Sequence, residues 1–164
     1  MSTPPDIDFA QLAAQLDYSM FIVTVANERE RSGCLVGFAS QVSIDPPRFL
    51  VCLSVQNHTY RVAESADTLV IHMVGERDEH LAELFGGQTG DEVDKFARCE
   101  WTAGPGGAPV LAKLENWFAG RVLQRLPFGD HVGFLLAPIE VHRRCAEGSL
   151  TFHRAKWIKP GHEP

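Results

Sequence analysis

Bulky and small or polar positions alternate with a period of two between Cys34 and Ser43, the signature of a β-strand. Cys34, Val36, Phe38 and Val42 fall on one face. Leu35, Gly37, Ala39, Gln41 and Ser43 fall on the other. The spacing predicts a strand over 34–43. Asp45-Pro46-Pro47 stops it, because proline has no N–H for the ladder and fixes φ. A second strand, 48–54, follows. The first face is bulky, whereas Gly37, Ala39 and Ser43 leave room above the backbone of the second. Glycine inside a strand often marks close approach of a ligand or of another backbone.

β-rich and buried-looking runs recur along the chain. Strands are expected over 18–26, 68–74, 114–123, 131–141 and 150–153, with Asn27 to Ser32 as a charged hairpin loop and Pro127-Phe128-Gly129-Asp130 as a turn. Helical spacing appears over 6–16, with Ile7, Phe9, Leu12, Ala13 and Leu16 apolar and Asp6 as N-cap. Two more helices are expected, 58–66 and 76–85. Gly86 to Asp91 reads as a glycine-rich loop, Asp94-Lys95-Phe96 as the start of a short element, and 101–109 as Gly/Pro-rich loop. Seven strands, three short helices and no βαβ alternation predict a mainly β protein, an antiparallel barrel with helical excursions.

Composition narrows the partners. The chain has 164 residues, 45% hydrophobic and 22% charged, which suits one domain with its own core. A net charge of −6 argues against nucleic acid or an anionic membrane as partner, although Arg121, Arg125, Arg143, Arg144, Arg154, Lys156 and Lys159 gather in the last third. No apolar run is long enough to span a bilayer, and the start lacks the basic and apolar regions of a signal peptide, so a cytoplasmic location is expected. Cys34, Cys52, Cys99 and Cys145 are far apart. They read as buried small hydrophobes, and no metal site is expected.

Three stretches carry candidate chemistry. Ser40-Gln41-Val42-Ser43 ends a strand where backbone groups become free. Its side chains suit the polar rim of an isoalloxazine ring or a ribityl chain, and equally suit ordinary turn chemistry. Asn57-His58-Thr59-Tyr60-Arg61 opens a helix. Asn57 caps it, the first turn has free N–H groups, and Thr59 and Arg61 add donors, a combination that suits phosphate. Asn57 acting only as a cap is worth about 1 kcal/mol. In Gly129-Asp130-His131 a histidine stands at a strand mouth, placed to orient a nicotinamide or flavin edge or to move a proton, or simply solvated. Phe152-His153-Arg154 has the same two readings. His72, mid-strand, reads as a satisfied core histidine rather than a pocket residue. Nucleophile elbow, Walker loop and Rossmann fingerprint are absent from the sequence, so a bound dinucleotide would need another fold.

The run Gly-Cys-Leu-Val-Gly-Phe-Ala-Ser-Gln-Val-Ser-Ile-Asp-Pro-Pro resembles the signature of flavin reductase-like proteins with the FMN-binding split-barrel fold. Asn-His-Thr-Tyr is similar to that family's phosphate-side segment. Asp94-Lys95-Phe96, Pro109-Val110-Leu111, Gly129-Asp130-His131 and Leu150-Thr151-Phe152-His153 follow in the family's order. The likeness spans about 16–157, leaving 1–15 as tail and helix and 158–164 as a C-terminal tail. In many members Thr-Ser-Val-Ser stands where this chain has Ser40-Gln41-Val42-Ser43, and asparagine where it has His72.

The resemblance implies an antiparallel split β-barrel and a homodimer with flavin near its interface. It implies flavin contacts from Ser40, Gln41, Val42, Ser43, Asn57, His58 and Thr59, with Arg61 beside them, and His131 on the nicotinamide side as the catalytic candidate. The activity implied is hydride transfer from NAD(P)H to FMN or FAD, with reduced flavin passed to a partner monooxygenase. Two alternatives stand beside it. One is an FMN-binding redox module without its own nicotinamide activity. The other is a barrel for haem or a deazaflavin, in which no histidine spacing singles out an axial ligand.

Overall fold

The computed structural model describes residues 5–144 and 148–161. The expected tail residues 1–4 and 162–164, and Cys145, lie outside the described residues. Among the described residues nine strands form: β1 (Phe21–Ala26), β2 (Arg31–Val36), β3 (Ala39–Ser43), β4 (Arg48–Ser54), β5 (Thr68–Met73), β6 (Trp101–Ala103), β7 (Pro109–Leu111), β8 (Trp117–Pro127) and β9 (His131–His142). The α-helices are α1 (Pro5–Ala13), α2 (His58–Ala63), α3 (Glu79–Gly87) and α4 (Phe152–Ala155).

Seven strands make one antiparallel sheet in the order β2-β1-β5-β8-β9-β4-β3. β2 and β3 lie at opposite edges, yet only Gly37 and Phe38 separate them in the chain. The sheet must therefore curl until its edges nearly meet. The Phe38 carbonyl accepts from the Cys52 N–H at 2.8 Å on the far side of that seam. This is the expected barrel with its seam left open.

The seam explains the main departure from the sequence reading. The strand expected over 34–43 is two strands, and the hairpin loop before it ends sooner, at Arg31. At Gly37 the room above the backbone is filled by protein: a Cβ there would come 2.5 Å from Cε2 of Tyr18. The alternation does not carry through the break. Cys34 and Val36 are buried inside the barrel, whereas Phe38 and Val42 are 56% and 51% exposed.

Both faces of the central strands are covered. Phe21, Val23 and Val25 of β1, Leu69 and Ile71 of β5, and Phe134 and Leu136 of β9 fill the barrel, and Val62, Ala63 and Ala66 of the α2 region close one end. Outside, Ile22 packs with Leu81, Ala82 and Phe85 of α3 and with Phe96, Leu111 and Leu150. α1 begins one residue before its expected start and ends at Ala13, and Ile7, Phe9 and Leu12 on it are exposed.

The stretch expected as loop over 101–109 holds a small two-stranded sheet, β6-β7, around a 3₁₀ turn. Buried polar groups on the main sheet hold it. Thr24 Oγ1 donates to the Pro109 carbonyl, and the Leu111 N–H donates to Nε2 of His72 at 3.0 Å. His72 Nδ1–H donates to the Ile22 carbonyl at 3.0 Å, so the imidazole is neutral and fully satisfied, as the core reading expected. The strand expected over 150–153 is instead a pair of isolated bridges, Ser19 with Thr151 and Gly75 with Ser149, leading into α4.

Lys95, of Asp94-Lys95-Phe96, is buried. Its ammonium donates to the carbonyls of Gly33 (3.0 Å) and Phe85 (2.9 Å), tying β2 to α3. Burial pulls its pKa below the usual lysine value.

Candidate functional site

The site lies where β4 ends and β9 begins. The two strands pair with Ser54 opposite His131, and the Val55 N–H donates to the Asp130 carbonyl at 2.9 Å. Gly129, at φ +136°, makes the turn that brings β8 back into β9, a conformation that favours glycine. Three residues beyond Ser54, Asn57 caps α2, with its Oδ1 accepting the Thr59 N–H at 2.9 Å. Asn57 and His131, picked from separate motifs, are thereby brought to one place.

They share a cavity of about 410 Å³. Leu35, Phe38, Phe85 and Phe152 form apolar walls, and Ser54, Asn57, Gln88, Thr89, Asp130 and His131 form a polar rim. An adjoining hollow of about 230 Å³ adds Tyr18, Cys34 and Cys52. The aromatic rings are packed on one another: Phe38 lies 5.0 Å from the His131 ring, and Tyr18 stacks on Phe152 at 5.0 Å. Apolar walls with a few converging polar groups are what a planar heterocycle with one polar edge requires, so these residues fit a flavin ring.

His131 is oriented by its neighbour. Its Nδ1 contacts Asp130 Oδ1 at 2.7 Å, leaving Nε2 for a ligand. The hydrogen bond from His131, followed by its charge, holds the Asp130 carboxyl below the usual carboxylate range. Cys34 and Cys52 are thiols, since burial raises both pKa values; Lys95, Thr59 and Asn57 only partly oppose this at Cys34.

A second hollow, about 420 Å³, lies past α2 and is lined by His58 and by charged groups including Arg29, Arg31, Asp91 and Lys95. His58 Nδ1 contacts Asp91 Oδ1 at 2.9 Å and its Nε2 contacts Glu30 at 3.1 Å. Arg61 holds both Asp91 oxygens at 2.6 Å. These contacts, Arg61 first and then His58, lower the Asp91 pKa. A third hollow, about 460 Å³ between Met73–Gly75 and Arg143–Arg144, is larger, but His131 and Asn57 do not line it.

The remaining expected residues are placed differently. Thr59 is fully buried and its hydroxyl bonds with that of Ser32 at 2.9 Å, so it supports the α2 start from beneath. Arg61 is exposed on the second-hollow side. Ser40, Gln41, Val42 and Ser43 run outward along the edge strand from the cavity-lining Phe38. Ser40 Oγ donates to the Gln41 carbonyl at 3.0 Å and Gln41 Nε2 to the Ser43 carbonyl at 3.3 Å. Within one chain these four do not line the 410 Å³ cavity.

Sequence reasoning missed Phe38 as a cavity wall, Ser54, and the loop residues Gln88 and Thr89. Ser54 carries a signal, as a polar residue ending a strand three residues before the motif that opens at Asn57. Among the described residues no three His, Cys, Asp or Glu side chains gather as a metal site, and no helix is long and apolar enough to cross a membrane.

The sequence pattern of the flavin reductase like domain matches residues 14–157. The FMN reductase (NADH) RutF of Bradyrhizobium diazoefficiens is 28% identical over 149 residues, covering 90% of this chain and 82% of that protein. A Rhizobium meliloti relative, 26% identical over 142 residues, is longer, and the match spans 44% of it and 84% of this chain. Among solved structures, the NADH:FAD oxidoreductase SgcE6 of Streptomyces globisporus has TM-score 0.82 at 21% identity, covering 99% of this chain and 93% of that one. A nitrilotriacetate monooxygenase component B homolog from Mycobacterium thermoresistibile has TM-score 0.79 at 20% identity, covering 92% and 83%.

Proposed function

The chain belongs to the flavin reductase like domain family, and from that premise we propose that it is an NAD(P)H-dependent flavin reductase acting on FMN, or on FAD. One observation carries the reading. The fold brings Asn57 and His131 onto the rim of a single aromatic-walled cavity of about 410 Å³. When bound, the two cofactors supply the chemistry, a hydride passing from nicotinamide to the flavin ring.

The chain's own residues bind, orient and exclude water. Leu35, Phe38, Phe85 and Phe152 give the ring dry walls. Ser54, Gln88 and Thr89 offer hydrogen bonds to its polar edge. Asn57, with His58 and Arg61 behind it and Thr59 beneath, marks the phosphate end. His131, held by Asp130, faces the reacting edge.

Ser40, Gln41, Val42 and Ser43 enter this reading through a second copy of the chain. β3, the residue that follows it and the far half of β9 leave Val42, Ile44, Ile139 and Val141 exposed by 51%, 84%, 50% and 68%, apolar surface suited to a homodimer whose interface adjoins the cavity mouth at Phe38. A monooxygenase that accepts reduced flavin is the proposed partner, supported by the likeness to the nitrilotriacetate monooxygenase component.

Titration with FMN and riboflavin tests the placement. Asn57→Ala is expected to weaken FMN by about tenfold and riboflavin by about twofold or less, because only FMN carries the phosphate whose charge makes hydrogen bonds strong. Equal losses for both would show that Asn57 acts only through the α2 cap.

A further inference from the structure

A thin partition separates the aromatic-walled cavity from the charged hollow. Asn57 lines the first and His58 the second; Thr89 lines the first, Gly90 and Asp91 the second. The partition is packed as well as charged. A Cβ at Gly90 would lie 3.0 Å from Cδ2 of His58, so the loop rests directly on the imidazole. Asp91 then fastens it, with both oxygens on Arg61 at 2.6 Å and one on His58 at 2.9 Å.

Arg61 and the His58 imidazole follow Asn57 on α2, at the polar end of the cavity. Asp91 is an anion already seated on the donors that a flavin's phosphate would use. It is also displaceable: the Arg61 and Asp91 side chains are 46% and 50% exposed, and ion pairs this open are weak. Glu30, on the other nitrogen of His58 at 3.1 Å, would keep that ring oriented after Asp91 leaves.

We propose that Asp91 is a specificity-determining residue, an internal carboxylate that competes with the phosphate of the flavin for Arg61 and His58. It narrows the preference for FMN over riboflavin and keeps the flavin exchangeable. The inference rests on the reading above, in which the phosphate end lies at Asn57 to Arg61.

Flavin fluorescence quenching gives the dissociation constants of FMN and riboflavin for the unmodified protein, for Asp91→Asn, and for Asp91→Asn combined with Arg61→Gln. Removing one competing charge near an exposed arginine is expected to tighten FMN about fivefold and to leave riboflavin within about twofold. The double variant loses that gain. Asp91→Ala repeats the single-variant test without an amide that could still bond Arg61. Equal shifts for FMN and riboflavin, or weaker FMN binding, overturn the proposal alone. An unmodified protein that binds neither flavin overturns the underlying reading and the proposal with it.

Discussion

Replacing His72 by leucine lowers the free energy of unfolding by about 2 kcal/mol. The imidazole is fully buried between β5, β1 and β7. Leucine fills the space but strands the Leu111 N–H, which donates to the ring at 3.0 Å, while the Ile22 carbonyl gives up its bond to the ring and keeps its place in the β1–β5 ladder. An unpaired buried donor costs about 1–3 kcal/mol, so this one group outweighs the small change in packing.

The same residue makes stability depend on pH. Burial, the largest cause, lowers the His72 pKa to about 4, against the bond to Ile22, which raises it. In the unfolded chain it titrates near 6.5. Between those values the unfolded state binds the extra proton, so stability is fully present above about pH 6.5 and is lost as pH falls toward 4. A shift of this size corresponds to about 3 kcal/mol. Urea unfolding at pH 7.5, 6, 5 and 4 reads both effects: His72→Leu starts lower and falls less steeply. A variant with the same acid slope as the unmodified protein would remove His72 from this account.

His131→Ala slows flavin reduction by about a hundredfold, the range for losing one positioned acid–base or orienting group. FMN affinity is expected to stay within about twofold, because dry walls supply most of the binding in such a cavity. The ring lies 5.0 Å from Phe38 and its Nδ1 is taken by Asp130 at 2.7 Å, so truncation opens the reacting edge without removing a wall. Stopped-flow absorbance gives the rate, and fluorescence titration the affinity. Collapse of affinity with an unchanged rate of the bound fraction would make His131 structural.

The barrel was legible because period-two alternation is local, and most of its strands are marked by β-branched and aromatic runs. What alternation does not carry is where a sheet ends. Gly37 suggests close approach of a ligand or another backbone, yet its neighbour is the Tyr18 side chain, brought there by the register of β1 on β2. Phe38 follows the apolar pattern of Cys34 and Val36 but falls past the seam, so it walls a cavity instead of filling the core. Residues 101–109 look like loop because their support, Thr24 and His72, sits on other strands. Asn57 and His131 stand out in the sequence because each lies at a strand or helix end marked by local chemistry. Their meeting depended on the Ser54–His131 register, which no single segment encodes. The pairing of Arg61 and His58 with Asp91 was hidden for the same reason.

The most direct test of the central claim is anaerobic mixing of the FMN-loaded protein with NADH and, separately, with NADPH, followed through the flavin's visible absorbance. The account predicts that at least one donor bleaches the flavin, and that His131→Ala bleaches it far more slowly. Bound flavin that keeps its colour with both donors would contradict the reductase assignment and leave a flavin-binding module in its place.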